Sequence, residues 1–232
     1  MCNFPNIQYV DIFQPLANPL NNNLGLPQGP RAMYTLLVNK FFLPANFLDI
    51  QNINMSQLEC TINQRICEYG ATDPELKEIF CLIHIWGGST GRRVFTMNPN
   101  PDMNNILIYY RDFVNVCLNT PVPTEDTLDA KLDVAQNCVL TMYNAILDLH
   151  SRIKGLGPAF LTKHARFWLT KNNPLNPLPI YDSTFAEHIM GHGPHCNAQF
   201  NDIIPFWNGM IAQARAVRIS LLSLERQLFN LW

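Results

Sequence analysis

The stretch that decides the fold is residues 154–191, KGLGPAFLTKHARFWLTKNNPLNPLPIYDSTFAEHIMG. It reads in four pieces. Gly155 and Gly157 allow a tight hairpin between two helices, because glycine tolerates backbone angles that other residues avoid. Pro158 suits the first turn of the second helix, where a missing N–H removes no bond. AFLTKHARFWLTK then carries helical apolar spacing, and NNPLNPLP stops it. YDSTFAEHIMG restarts as a short helix with Asp182 at its N-terminus. The N–H groups of such a hairpin, and of the helix start behind it, are suited to holding a DNA phosphate. Taken alone, a Gly-x-Gly turn serves equally well as a plain connector.

Outward from this stretch the chain keeps reading as helix. Before it, a long amphipathic segment runs from about Thr127 to Ile153, with Leu132, Ala135, Val139, Met142 and Ile146 on one side at spacings of three and four. Upstream of that lie NPDMNNILIYYRDFVNVCLN and the loop TPVPTED. TDPELKEIFCLIHIWGG has Thr72 or Asp73 as cap, Pro74 in the first turn and Gly87–Gly88 as its end. SQLECTINQRICEYG suits a helix capped by Ser56 and stopped at Gly70. MYTLLVNKFFL reads as one helix, with a new segment starting at Pro44. Downstream, FNDIIPFWNGMIAQARAVRISLLSLERQLFNLW is helical in period to the end. Sustained alternation of the strand type is nearly absent. The expected fold is therefore mainly α, with room for one minor strand near the N-terminus. Residues 1–30, rich in Asn, Pro and Gly, read as an irregular lead-in that packs through Phe4, Tyr9 and Phe13; residues 31–232 read as one helical domain.

Composition bounds the function. The 232 residues are 47% hydrophobic and only 15% charged, which fits a folded chain. The longest apolar runs fall far short of the roughly 20 residues a membrane helix needs. No basic-then-apolar leader is visible at the start, so the expectation is a cytoplasmic monomer with no membrane partner. Seven cysteines with no C-x-x-C pair argue against a zinc ribbon or a cluster loop and for buried thiols. The net charge of −2 does not advertise a nucleic-acid binder, but its distribution is uneven. Arg152, Lys154, Lys163, Arg166 and Lys171 follow one another with no acid among them, either as a phosphate-binding patch or as an ordinary solvated face.

The whole run from Ile153 to Gly191 resembles the helix-hairpin-helix DNA glycosylases, and within them the bacterial proteins similar to 8-oxoguanine DNA glycosylase. LGPAFLTK, the apolar stretch behind it and an Asp before a helix carry the likeness. WGGSTGRRVF and the ending SLLSLERQLFNLW add to it more weakly, and the first 70 residues carry none. The resemblance implies a two-lobed helical glycosylase fold and an enzyme that flips a damaged or modified base out of double-stranded DNA and cleaves its N-glycosidic bond. It places the family's carboxylate on Asp182, opposite the positive charge that develops on the sugar as the base departs. Bifunctional relatives carry a lysine two residues after the second hairpin glycine, where this chain has Ala159. Lys163 stands one helical turn further on. Two readings stay open: Lys163 is an amine nucleophile, or water attacks and Lys163 holds a phosphate or a carboxylate. The resemblance further implies that Lys154, Gly155 and Gly157, helped by Arg152 and Arg166, contact the DNA backbone.

Other residues enter as candidates with a plain alternative beside each. Trp86 with the loop GGSTGRR, including Arg92 and Arg93, is either a wall of the base pocket or a DNA-facing loop, or else a helix end over a core Trp. His188, His192, His195 and Cys196 surround a Gly-rich turn, but their spacing fits no zinc site, so no metal and no cofactor are expected. Asp182 serves equally as the N-cap of STFAEH. Function divides the same way: excision of a damaged base in repair, excision of a bulky hypermodified phage base in defence, a non-catalytic helix-hairpin-helix DNA-binding module, or a helical adaptor whose GLG is only a turn.

Overall fold

The computed structural model describes residues 2–9, 25–97, 102–194 and 196–231, with the side chains of residues 89 and 90 set aside. The fold is mainly α. Its helices are α1 (Gln28–Asn39), α2 (Met55–Cys67), α3 (Asp73–Gly87), α4 (Arg93–Thr96), α5 (Met103–Leu118), α6 (Leu128–Arg152), α7 (Pro158–Leu169), α8 (Ser183–His188), α9 (Ile203–Val217) and α10 (Leu221–Phe229). No strand occurs among the described residues, so the minor strand expected near the N-terminus is absent from residues 2–9. Those residues pack instead against α9, where Cys2 and Phe4 fill the space over Gly209. Tyr9 donates from its hydroxyl to the Pro5 carbonyl at 2.9 Å. Phe13 lies outside the described residues.

The chain divides into two compact units. The first comprises Met1–Pro15, Phe113–Asp148 and Gly157–Trp232; the second comprises Leu16–Asp112 and Leu149–Leu156. Each has its own aromatic core. In the second, Phe80 meets Tyr110 edge-on at 4.8 Å and His84 at 4.5 Å, and Phe95 lies 5.0 Å from His84. In the first, Phe206 lies 4.9 Å from Tyr181 and 5.2 Å from Phe185.

Helix ends follow local chemistry. Thr72 and Glu75 close a reciprocal capping box at α3, and Gly88 ends it with φ +71°. At α2 the cap is Asn54, boxed with Gln57 at 2.9 and 2.8 Å, and not Ser56. An amide reaches back to the N3 N–H and leaves room for the return bond from Gln57. The C-terminal run breaks into two helices: Arg218 turns left-handed at φ +60°, and Ser220 caps α10. Its unbroken apolar period hid that break. The five residues expected on the core side of α6 are all buried.

Candidate active site

α7 is the central helix of the first unit, and every residue from Phe160 to Leu169 is buried. A helix covered on all sides is normally apolar throughout. This one carries Thr162, Lys163, His164 and Arg166 inside, and buried polar groups are costly unless something answers them. The expected basic patch is therefore split. Arg152, Lys154 and Lys171 are exposed, whereas Lys163 and Arg166 lie within the fold. Arg166, expected on DNA, is 2% exposed and faces the Glu225 carboxylate across 3.4 Å, with its guanidinium over the Phe167 ring.

The segment leading to Asp182 is fixed residue by residue. Trp207 Nε1 donates to the Pro179 carbonyl at 2.8 Å. The Ile180 N–H donates to Glu225 Oε1 at 2.6 Å, and the Tyr181 N–H to Thr162 Oγ1 at 3.0 Å. The Tyr181 hydroxyl donates to Asp202 Oδ2 at 3.1 Å. Asp202 also meets His192 Nε2 at 2.8 Å, and its negative charge, with burial, keeps the Tyr181 proton on. Behind this segment, Asn176 Oδ1 accepts from the Leu221 N–H at 3.0 Å. α7, α9 and α10 thus each hold one of the three residues Pro179–Tyr181 that lead into Asp182.

Asp182 itself is the half-buried N-cap of α8. Its Oδ1 accepts from the N–H groups of Thr184 at 3.0 Å and Phe185 at 3.3 Å. Among the described residues, Oδ2 accepts no hydrogen bond. The carboxylate therefore caps a helix with one oxygen and keeps the other for a further partner. Lys163 is 9% exposed, with Nζ 5.0 Å from the centre of the Phe160 ring. Among the described residues it makes no direct ion pair. Burial lowers its pKa, while the charges of Asp182 and Glu225 raise it. The result is a desolvated amine held in the field of two carboxylates. Such an amine gives up its proton more readily than a surface lysine, as an amine nucleophile must.

Of the other expected site residues, Gly157 belongs to the first unit and Trp86, Arg92, Arg93, Arg152, Lys154 and Gly155 to the second. Gly155 has φ +92°, and a Cβ there would come within 2.8 Å of the Arg93–Val94 backbone. Gly157 is different: it N-caps α7 at φ −91°, and a Cβ there would meet nothing within 4 Å. Lys154 and Arg152 are exposed, the latter with its guanidinium 5.3 Å from the Tyr109 ring. GGSTGRR is not a loop. Gly88–Arg92 is a 3-10 turn that runs directly into α4. Trp86 is half-buried at the end of α3, and Arg92 and Arg93 are exposed. His188 is exposed, Cys196 is half-buried, and His195 lies outside the described residues. Among the described residues, no three His, Cys, Asp or Glu side chains are arranged to hold a metal ion. No described helix is long and apolar enough to cross a membrane.

Glu225, Thr162 and Asp202 are the participants that sequence reading missed. Glu225 had a legible signal. It sits with Leu221, Leu224 and Leu228 at spacings of four, one and three on the buried side of α10, where an acid is out of place unless paired. Thr162 and Asp202 carry no such signal, since their partners come from distant chain. No protein-family model, no curated protein and no solved structure matches this chain.

Proposed function

We propose that this protein is a DNA glycosylase that releases a damaged or modified base, with Asp182 stabilising the cationic sugar in the transition state. The observation that carries the reading is a desolvated Lys163 in the electrostatic field of a half-buried Asp182, whose second oxygen accepts no hydrogen bond among the described residues. Departure of a base leaves positive charge on C1′, and a fixed carboxylate in a partly dry site opposes that charge far better than it does in water. The same surroundings suit Lys163 to attack C1′ as a neutral amine. Gly157, with an ordinary φ and open space where a side chain would stand, leaves its backbone approachable by a phosphate.

The experiment is a screen of base release against duplexes carrying damaged or hypermodified bases, with borohydride present in half the samples. Release of one base class supports the glycosylase reading and chooses between repair and defence. A borohydride-trapped adduct that is lost in Lys163→Gln identifies the amine; release without an adduct identifies water. No release from any duplex, with tight DNA binding, favours the second reading, a non-catalytic DNA-binding module. That reading draws on the N-cap bonds of Asp182, which give the residue a purely structural task.

A further inference from the structure

α1 ends in a closure that normally requires glycine. The Phe42 N–H donates to the Leu37 carbonyl and the Phe41 N–H to the Val38 carbonyl, both at 2.9 Å. This two-bond closure puts the residue between Lys40 and Phe42 in the left-handed region, where glycine is usual. Here that residue is Phe41, at φ +60°. Its side chain is 91% exposed. Phe42 does the packing instead, with its ring 5.5 Å from Phe95. Phe41 thus combines a strained backbone with a large apolar ring in water, and among the described residues no packing contact of that ring is found.

The surroundings of Phe41 point to an anionic, stacked partner. The 3-10 turn and α4 run alongside α1 within the second unit: Gly88 lies against Pro30, and Phe95 against Phe42. Arg92 and Arg93 are exposed on that run, and Met97, 60% exposed, ends it. The Arg93–Val94 backbone abuts Gly155, which brings the exposed Lys154 to the same end of the unit. Four other arginines sit on carboxylates: Arg65 on Glu78, Arg111 on Asp73, Arg215 on Asp133 and Arg218 on Asp129. Among the described residues, Arg92, Arg93 and Lys154 have no such partner. Asp49, the acid nearest to Phe41 in sequence, is turned toward Asn52 and Gln51.

We propose that the Phe41 turn is a stacking wedge for duplex DNA, its ring entering the base stack while Arg92, Arg93 and Lys154 hold the flanking phosphates. An apolar side chain inserted at a base step, within a cationic rim, is a general means of unstacking a duplex. One ring and one thioether give too little apolar area for lasting attachment to a lipid surface. A left-handed backbone projects the ring away from the helix that carries it. The wedge rests on the glycosylase reading, in which extraction of a base gives the ring its use.

The test uses the full chain and fluorescence anisotropy on two duplexes that differ only in a central tetrahydrofuran residue, a stable gap in one strand's stack. Wild type is expected to bind the gapped duplex more tightly than the intact one. Phe41→Ala loses that preference, by roughly 5- to 150-fold, and binds the intact duplex as before; Phe41→Trp retains it. Exposure of the ring makes either change harmless to the core, and an unchanged urea midpoint verifies this. A Phe41→Ala variant that binds both duplexes as wild type does overturns the wedge and leaves the glycosylase reading standing. Equal loss on both duplexes makes Phe41 a general contact and also overturns it. So does capture by phosphatidylserine vesicles, or a dimer, that depends on Phe41 while DNA binding does not. A wild type that binds neither duplex at low salt overturns the wedge and the glycosylase reading together.

Discussion

In the first unit the informative charges are inside: Lys163, Arg166 and Glu225 are nearly sealed from water. In the second they are outside, with Arg92, Arg93 and Lys154 exposed and, among the described residues, facing no carboxylate. The same residue types therefore answer to different physics. A buried charge is costly and persists only with a partner, so its neighbours reveal its role. An exposed charge costs little whether or not it is paired, so its neighbours say little about its role and it stays available to a ligand. Sequence spacing placed Lys163, Arg166 and Lys154 in one patch. Burial separates them: Lys163 and Arg166 lie inside the first unit, and Lys154 is exposed on the second.

The strongest way to break that contrast is at Glu225. Glu225→Ala removes the carboxylate facing Arg166 and the acceptor of the Ile180 N–H, and strands a buried guanidinium. The expected loss is about 3–5 kcal/mol in urea unfolding. Arg92→Ala, by comparison, should change stability by less than about 0.5 kcal/mol while weakening DNA binding. Equal stability effects would erase the distinction drawn between the two units.

The hairpin glycines sharpen the contrast on a smaller scale. Gly155→Ala forces a side chain into a left-handed residue against the Arg93–Val94 backbone. The backbone strain alone costs roughly 1–2 kcal/mol, and the contact adds to it. Gly157→Val faces no such obstacle, so its melting temperature should hold while affinity for every DNA sequence falls alike. A Gly157→Val protein that binds normally would reduce the hairpin to a connector.

Lys163 supplies the pH dependence. The unfolded chain keeps this proton up to the ordinary lysine value of 10.5, whereas burial makes the folded protein release it at lower pH. Over the window between the two values the unfolded state binds more protons, so stability rises with pH. Below the window the cost of the buried charge is present in full. Lys163→Met should flatten that rise when unfolding is followed from neutral pH upward, and should leave neutral-pH stability equal or higher. A small gain is expected at Phe41. Phe41→Gly relieves the left-handed strain, less the extra freedom of glycine in the unfolded chain, for a gain of about 0.5–1 kcal/mol.

Much of the fold was legible because helix signals are local. Thr72 with Glu75, Pro158, and the stripe from Leu132 to Ile146 each announce their element within one or two turns of chain. The break at Arg218 was not legible, because a left-handed residue that is not glycine leaves no mark in the apolar period. The site was legible only in part. Asp182 and Lys163 stand out from the Pro-rich loop and the helix behind the hairpin. Their supports, Thr162, Glu225 and Asp202, are brought to them by packing between α7, α9 and α10, which no local pattern encodes. The bounds of the two units were hidden for the same reason, since the chain passes from one to the other inside α5 and α6.

The central claim is that the Asp182 charge, and not its capping bonds, is what the protein needs for chemistry. The most direct measurement is single-turnover base release by Asp182→Asn on the duplex that wild type processes best. Asparagine keeps the size and caps a helix about as well as aspartate, so folding and DNA affinity should be unchanged. Release is expected to fall by about 100-fold or more, the usual effect of removing one preorganised electrostatic contribution to a transition state. A folded Asp182→Asn protein that binds the same duplex and releases the base at the wild-type rate would contradict the account.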